Sequence, residues 1–407
     1  MAKMVRMVKW LENFMNKRLI LLIVAIILYR QVIPLANLVK NFPLNDFSVY
    51  MDGTKAALSG ENPYKLKFFD RFNYPPAAAL FFIPLSKLPI QLSEWIFTTV
   101  SVISLWLTVS WTLKILDWEP TRPVKWLIFA LSWRIFPVKL TLALGQINII
   151  ILMLIVGSFY FCEGLAFRRK ARPFKALSGV LLGLAIVLKL TPAPILIYFL
   201  LRKKWKVIKW SAATMAVLTT AGGLIFGWDL TKNYFLSVLP GLMGEVTRET
   251  VNASYMNQSV TALLARVGIF GASSTFIRLI FSGGLLLFII IKWIFFTKIA
   301  KVHEKHENFL FFWGLAAISI LFLPVFVWQH HYVFLLPAWI VLLNIAAGSR
   351  RLFDWIVVII SYCLLNFYFQ DANWLSGKNS LMISHFLVTG TGMLILMMTK
   401  FRKVKVK

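Results

Sequence analysis

The chain has 407 residues, of which 59% are hydrophobic and 15% aromatic, with a mean hydropathy of +0.74 and a formal charge of +28. That is more apolar surface than one water-soluble core hides, so a single soluble domain is excluded and a polytopic, all-α membrane protein is expected. The 44 Lys and Arg residues fall in short clusters between apolar runs; this speaks against nucleic-acid binding, which needs one basic face, and for cytoplasmic loops that also meet anionic lipid headgroups.

The first apolar run, 19–38, follows Lys17 and Arg18, lacks a small-residue cleavage site and is followed by further apolar runs, so it reads as a retained helix directed outward. It makes 39–92 the first extracytoplasmic loop. Within that loop NDFSVYMDGTKAALSGENPY, 45–64, concentrates carboxylates and reads as a short interfacial helix that begins near Asp46 and ends before Gly60. Two roles are open to Asp46: an N-cap, or a carboxylate held against the bundle. Asp52, next to Gly53, reads as a cap or a solvated group, and TyrProPro at 74–76 as a stiff turn into a second interfacial segment.

Placing every basic cluster inside fixes the rest of the path. A helix near 93–116 returns, 117–125 is an inner turn, 126–141 goes out, and 147–167 comes back to FRRKARPFK. The run 176–201 has basic clusters at both ends and KLTPAP in its middle. Pro192 and Pro194 break helices, so two half-helices turning at 189–194 are expected, lining a protein-enclosed cavity. Then 207–228 goes out, 229–258 is the second extracytoplasmic loop, and 274–296, 309–327, 332–347, 355–369 and 381–399 complete about ten full spans plus the broken pair. The whole reads as one integral membrane domain. Two cysteines, Cys162 and Cys363, lie in apolar runs and offer no disulfide framework or metal spacing.

With this topology the conspicuous polar motifs share the outer side: the Asp46 loop, GQIN at 145–148, the Lys189 turn, NQS at 257–259, WQHHY at 328–332 and DANW at 371–374. An outer ring of loop motifs suggests surface chemistry more than midplane transport. Arg134 and Lys189 are the deepest charges within spans and are functional candidates by default, with a phosphate as their natural anion; snorkelling or pairing is the alternative, and the stronger one for Lys139. His330 and His331 point about 100° apart on a helix, so at most one faces a cavity. Neither HExxH nor DxD occurs, and no metal or cofactor is implied. Tyr50, Gln146, Asn148, Asn257 and Gln258 complete the candidate cavity and acceptor residues.

Taken in order, six stretches resemble glycosyltransferase family 87, membrane enzymes of the GT-C class that use polyprenyl-phosphate sugars. They are 45–64 quoted above, FNYPPAAALFFIPLSKLP at 72–89, LALGQINIIILMLI at 142–155, GVLLGLAIVLKLTPAPIL at 179–196, NQSVTALLAR at 257–266 and FLPVFVWQHHYVFLLP at 322–337. The resemblance implies a GT-C-type bundle in the plasma membrane, an outward-facing active site, Asp46 as catalytic base, and Lys189, Gln146 and His330 or His331 as cavity groups. It also implies a polyprenyl-phosphate sugar donor, mannose or a pentofuranose, and a lipid or glycan acceptor. Thr191 stands where the family commonly has tyrosine. Displacing a lipid phosphate from a sugar carbon needs a base for the hydroxyl and positive charge for the leaving group. With no second carboxylate to nominate, inversion in one displacement is expected, with Arg134 and Lys189 on the phosphate. The competing reading is a lipid-linked glycan flippase or exporter, which binds with the same cations and does no chemistry.

Overall fold

The computed structural model describes residues 17–41, 44–65, 72–164, 174–244, 254–295, 304–349, 351–367 and 380–400. Among these residues every regular element is helical, with one isolated bridge between Asn257 and Trp328. The DANW motif at 371–374, Asp70, Glu245, Glu249 and the basic runs at 3–16, 168–173, 298–303 and 401–407 lie outside the described residues. The longer helices are α1 (Lys17–Asn41), α2 (Asn45–Leu58), α3 (Ile90–Ile115), α4 (Arg122–Arg134), α5 (Phe136–Leu144), α6 (Asn148–Phe159) and α7 (Lys175–Leu188). They continue with α8 (Leu196–Leu201), α9 (Trp205–Phe226), α10 (Gly271–Ile294), α11 (Glu304–Ala317), α12 (Leu336–Gly348), α13 (Leu352–Asn366) and α14 (His385–Lys400).

Of the ten or so full spans expected, three helical stretches among the described residues are both long and apolar enough to cross a membrane. They are α3, α10 and Gln329–Gly348, and a fourth counts if α4 and α5, bent by 67°, form one span. That bend corrects the unbroken crossing expected at 126–141. Ile135 leaves the helix at φ −54°, ψ 126°, two residues before Pro137, whose ring and missing N–H prevent a continuous ladder. The break expected at 189–194 is present: α7 stops at Leu188, Lys189 is extended at φ −158°, ψ 124°, and a tight turn over Ala193–Ile195 leads into α8.

The chain divides into two compact units, one of 38–105 and 141–249, the other of 1–37, 106–140 and 250–407. In the first unit α9 packs along α7, and small residues make the approach close. A Cβ on Gly179 would stand 2.5 Å from the Val207 carbonyl, and one on Gly183 2.8 Å from that of Ser211, the small-xxx-small device of membrane helix pairs. Ser211 Oγ donates to the Gly179 carbonyl at 3.0 Å. Farther along α9, Gly222 lets the backbone at Ala77, in the Pro76–Ala79 turn, come so near that a Cβ would lie 3.1 Å away. On α7's other side Ser178 Oγ donates to the Ser158 carbonyl of α6 at 2.6 Å.

In the second unit α10 packs on α11, where Trp293 stacks on Phe311 with centroids 4.5 Å apart, and Gly314 makes room for Ile289. Trp339 of α12 packs on Tyr362 of α13.

Candidate active site

The polar cluster of the first unit is set up by one close approach and two helix ends. α2 starts at Asn45, and the residue before it, Leu44, lies in the left-handed region at φ 38°, ψ 39°. That conformation costs a leucine on the order of 1–3 kcal/mol and persists only where packing holds it. Leu44 is buried, and its side chain lies against Gly145. Gly145 itself has φ +65°, and a Cβ there would stand 2.6 Å from Phe47 Cβ. The glycine of GQIN therefore lets the first turn of α2 lie directly on the 145–148 segment. α2 ends with Gly60 in the left-handed region, the Gly60 and Glu61 N–H groups returning to the Ala57 and Ala56 carbonyls at 3.4 and 2.9 Å.

Asp46 sits in that first turn and does not cap it: Leu44 occupies the N-cap position. Instead Asp46 Oδ2 accepts from Gln146 Nε2 at 2.7 Å. Gln146 Oε1 accepts from the Tyr50 hydroxyl at 2.8 Å. Tyr50 follows Asp46 by four residues and so shares its helix face. Its Oη also receives the Ile147 N–H at 3.3 Å and lies 3.1 Å from Tyr74 Oη, while its ring stacks on Phe82 with centroids 4.7 Å apart. Tyr64 donates to the Tyr74 carbonyl at 2.9 Å, fixing the TyrProPro turn.

Lys189, whose charge acts on Asp46, and Asn148 join the cluster from α7 and α6. α6 and α7 are antiparallel neighbours, joined near one end by Ser158 and Ser178, so Asn148 at the start of α6 meets Lys189 just past the end of α7. Lys189 Nζ donates to Asn148 Oδ1 at 3.0 Å. Because that contact claims the amide oxygen, Asn148 Nδ2 is the free donor; it is buried and has no hydrogen-bond partner among the described residues, as is the case for Thr191 Oγ1.

Burial raises the Asp46 carboxyl to about 6, opposed by the Gln146 hydrogen bond and then by the Lys189 charge. Burial, more than the neighbouring tyrosine and Asp46, pushes the Tyr50 hydroxyl well above its ordinary value. The Tyr74 hydroxyl is pushed up to about 12, chiefly by burial with Asp46 adding to it. Both phenols therefore stay protonated. The cluster combines a carboxylate, a lysine amine and spare donors, which suits proton abstraction beside an anionic leaving group.

The remaining expected residues belong to the second unit. Asn257 Oδ1 accepts from the Ser259 and Val327 N–H groups, both at 3.1 Å. Gln258 Nε2 donates to the Tyr255 and Ile383 carbonyls at 2.7 Å, and its N–H bonds the Val327 carbonyl at 2.7 Å. His331 Nδ1 accepts from the Trp328 N–H at 3.0 Å, and His330 is buried beside it, ring centroids 4.5 Å apart. NQS and WQHHY are thus laced into one another through backbone groups. Arg134 stands exposed at the last residue of α4.

The structure brings together Asp46, Tyr50, Gln146, Asn148 and Lys189. It adds Tyr74, which the sequence presented as part of a stiff turn. Its only signal was an aromatic hydroxyl just before the prolines, in a loop already carrying the Asp46–Tyr50 pair.

The model of glycosyltransferase family 87 matches residues 72–324, which include Gln146, Asn148 and Lys189 and leave Asp46 and Tyr50 on the N-terminal side. Among curated proteins, the chain is 28% identical over 330 residues to a polyprenol-phosphate-mannose-dependent alpha-(1-2)-phosphatidylinositol mannoside mannosyltransferase of Mycobacterium tuberculosis, covering 75% of this chain and 71% of that one. It is 26% identical to the corresponding pentamannoside mannosyltransferase of Mycolicibacterium smegmatis, over 76% of this chain and 72% of that one. A shorter match, 26% identical over 46% of this chain and 41% of the other, is to an alpha-(1->3)-arabinofuranosyltransferase of M. tuberculosis. No solved structure matches. With the family model covering more than half of its residues, the chain belongs to glycosyltransferase family 87.

Proposed function

We propose that the protein moves a sugar, mannose or a pentofuranose, from a polyprenyl-phosphate donor to a hydroxyl of a lipid or glycan acceptor on the extracytoplasmic side of the plasma membrane, with inversion. The single observation carrying this reading is the meeting, within one cluster, of the Asp46 carboxylate held by Gln146 at 2.7 Å and the Lys189 side chain held by Asn148 at 3.0 Å. The relatives' names support the donor class, and those of the phosphatidylinositol mannoside enzymes support a glycolipid acceptor.

In the proposed step the acceptor oxygen attacks the anomeric carbon as the carbon–oxygen bond to the phosphate breaks. Asp46 takes the hydroxyl proton, and the departing polyprenyl phosphate carries the bonding pair. Lys189 offsets the charge that develops on that phosphate, and Asn148 Nδ2 is placed to donate beside it. One carboxylate suffices for a single displacement.

The test is to supply purified protein with a polyprenyl-phosphate mannose and a membrane lipid extract. Release of polyprenyl phosphate together with a new glycolipid is expected, and so is loss of both in Asp46→Asn. Movement of the donor across vesicles with no release of polyprenyl phosphate would favour the flippase.

A further inference from the structure

We infer that Gln146 is a positioning residue that fixes the Asp46 carboxylate, and that Tyr50 reinforces the orientation of the Gln146 amide that the carboxylate requires. The inference rests on the reading of Asp46 as the base.

The argument is a count of donors and acceptors. A working base is ionised, and an ionised carboxylate only accepts hydrogen bonds. Gln146 must therefore present its NH2 group, as it does at 2.7 Å. An amide by itself has no such preference, since a half turn exchanges its oxygen and nitrogen. The carboxylate on one side and Tyr50 on the other supply the preference. The Tyr50 oxygen receives the Ile147 N–H and its hydrogen goes to Gln146 Oε1 at 2.8 Å, which makes Tyr74 the donor in the 3.1 Å contact between the two phenols. Turning the amide over would set two acceptors, Oε1 and the carboxylate, against each other and force the Tyr50 hydrogen away from Gln146.

Tyr50 is well placed to hold this choice. Its ring is clamped against Phe82 and its hydroxyl lies beside Tyr74, which is anchored in turn by Tyr64. The relay spans three segments: α2, the turn at 74–76 and GQIN. It holds one carboxylate oxygen and so the plane in which Asp46 meets an acceptor hydroxyl, the kind of support that keeps a reacting group within a fraction of an ångström of its working geometry. A hydrogen bond to the charged form also favours ionisation, countering burial. A purely packing role for Gln146 predicts no effect on when Asp46 titrates.

The experiment is the pH dependence of kcat/KM for the full-length protein with polyprenyl-phosphate mannose and a lipid extract of its own cells, comparing wild type, Q146L, Y50F and D46N. Q146L is expected to move the acid limb upward by about one pH unit and to lower the plateau about tenfold. Y50F keeps the ring and its packing, and should move the limb the same way by less; if Q146L does not accumulate, Y50F alone decides. A lowered plateau with the acid limb unmoved in the variants measured would overturn the inference. D46N separates the two failures. Activity surviving in D46N removes the base reading and this inference with it, whereas an inactive D46N with unmoved limbs in the others removes only the positioning role.

Discussion

A carboxylate that burial raises to about 6 binds its proton more tightly in the folded chain than in the unfolded one. The stability from that difference is full below about pH 4 and is lost as pH rises through about 6. Asp46→Asn removes the ionisation, so its thermal midpoint should rise above that of the wild type at pH 8 and converge with it near pH 4, while turnover falls at least about 100-fold; a midpoint difference independent of pH would contradict the assignment. In the wild type kcat/KM should drop about tenfold per pH unit below about 6 as the base is protonated. Lys189→Met should weaken donor binding about tenfold or more and leave acceptor affinity nearly unchanged, whereas a parallel loss of both affinities with a lower midpoint would mean a structural lysine. The sequence made Asp46, Tyr50, Gln146, Asn148 and Lys189 legible because each sits in a short polar motif beside an apolar run. Tyr74 was not legible, because its hydroxyl meets Tyr50 only once α2 has docked on the turn, and no local pattern encodes that approach.

At the scale of elements, the glycines separate turn chemistry from close packing. Gly145 and Gly60 both have positive φ, but a Cβ on Gly145 meets Phe47 at 2.6 Å and one on Gly60 meets nothing within 4 Å. Gly60→Ala should therefore cost only on the order of 1 kcal/mol and keep activity. Gly145→Ala adds a clash that lifts α2 from GQIN, so it should lose about 2 kcal/mol or more and most of its turnover, as thermal unfolding and the release assay would read. The broken helix at Lys189 was readable because two prolines sit mid-run. The break at Ile135 was not, because a single proline stands two residues beyond it and the residue that leaves the helix has no special chemistry of its own.

For the molecule as a whole, the proposed outward orientation of the site is tested at the two ends of α9, which the basic-cluster topology places on opposite sides of the membrane. Its 22 residues reach about 33 Å, with Lys206 exposed at one end and Asp229 exposed just past the other. In a background lacking Cys162 and Cys363, a cysteine at 229 should react with a membrane-impermeant thiol reagent in intact cells and one at 206 should not; the reverse pattern would turn the proposed active site inward. The site also has an order of arrival. Asp46 and Gln146 are 100 residues apart in the chain, and Lys189 comes later still. Since synthesis adds on the order of 10 residues per second, the carboxylate emerges roughly ten seconds before its partners. During that interval it lacks both the amide and the lysine. A nascent chain halted before residue 146 thus lacks the amide that holds Asp46, and the proposed base is assembled only with the arrival of downstream segments.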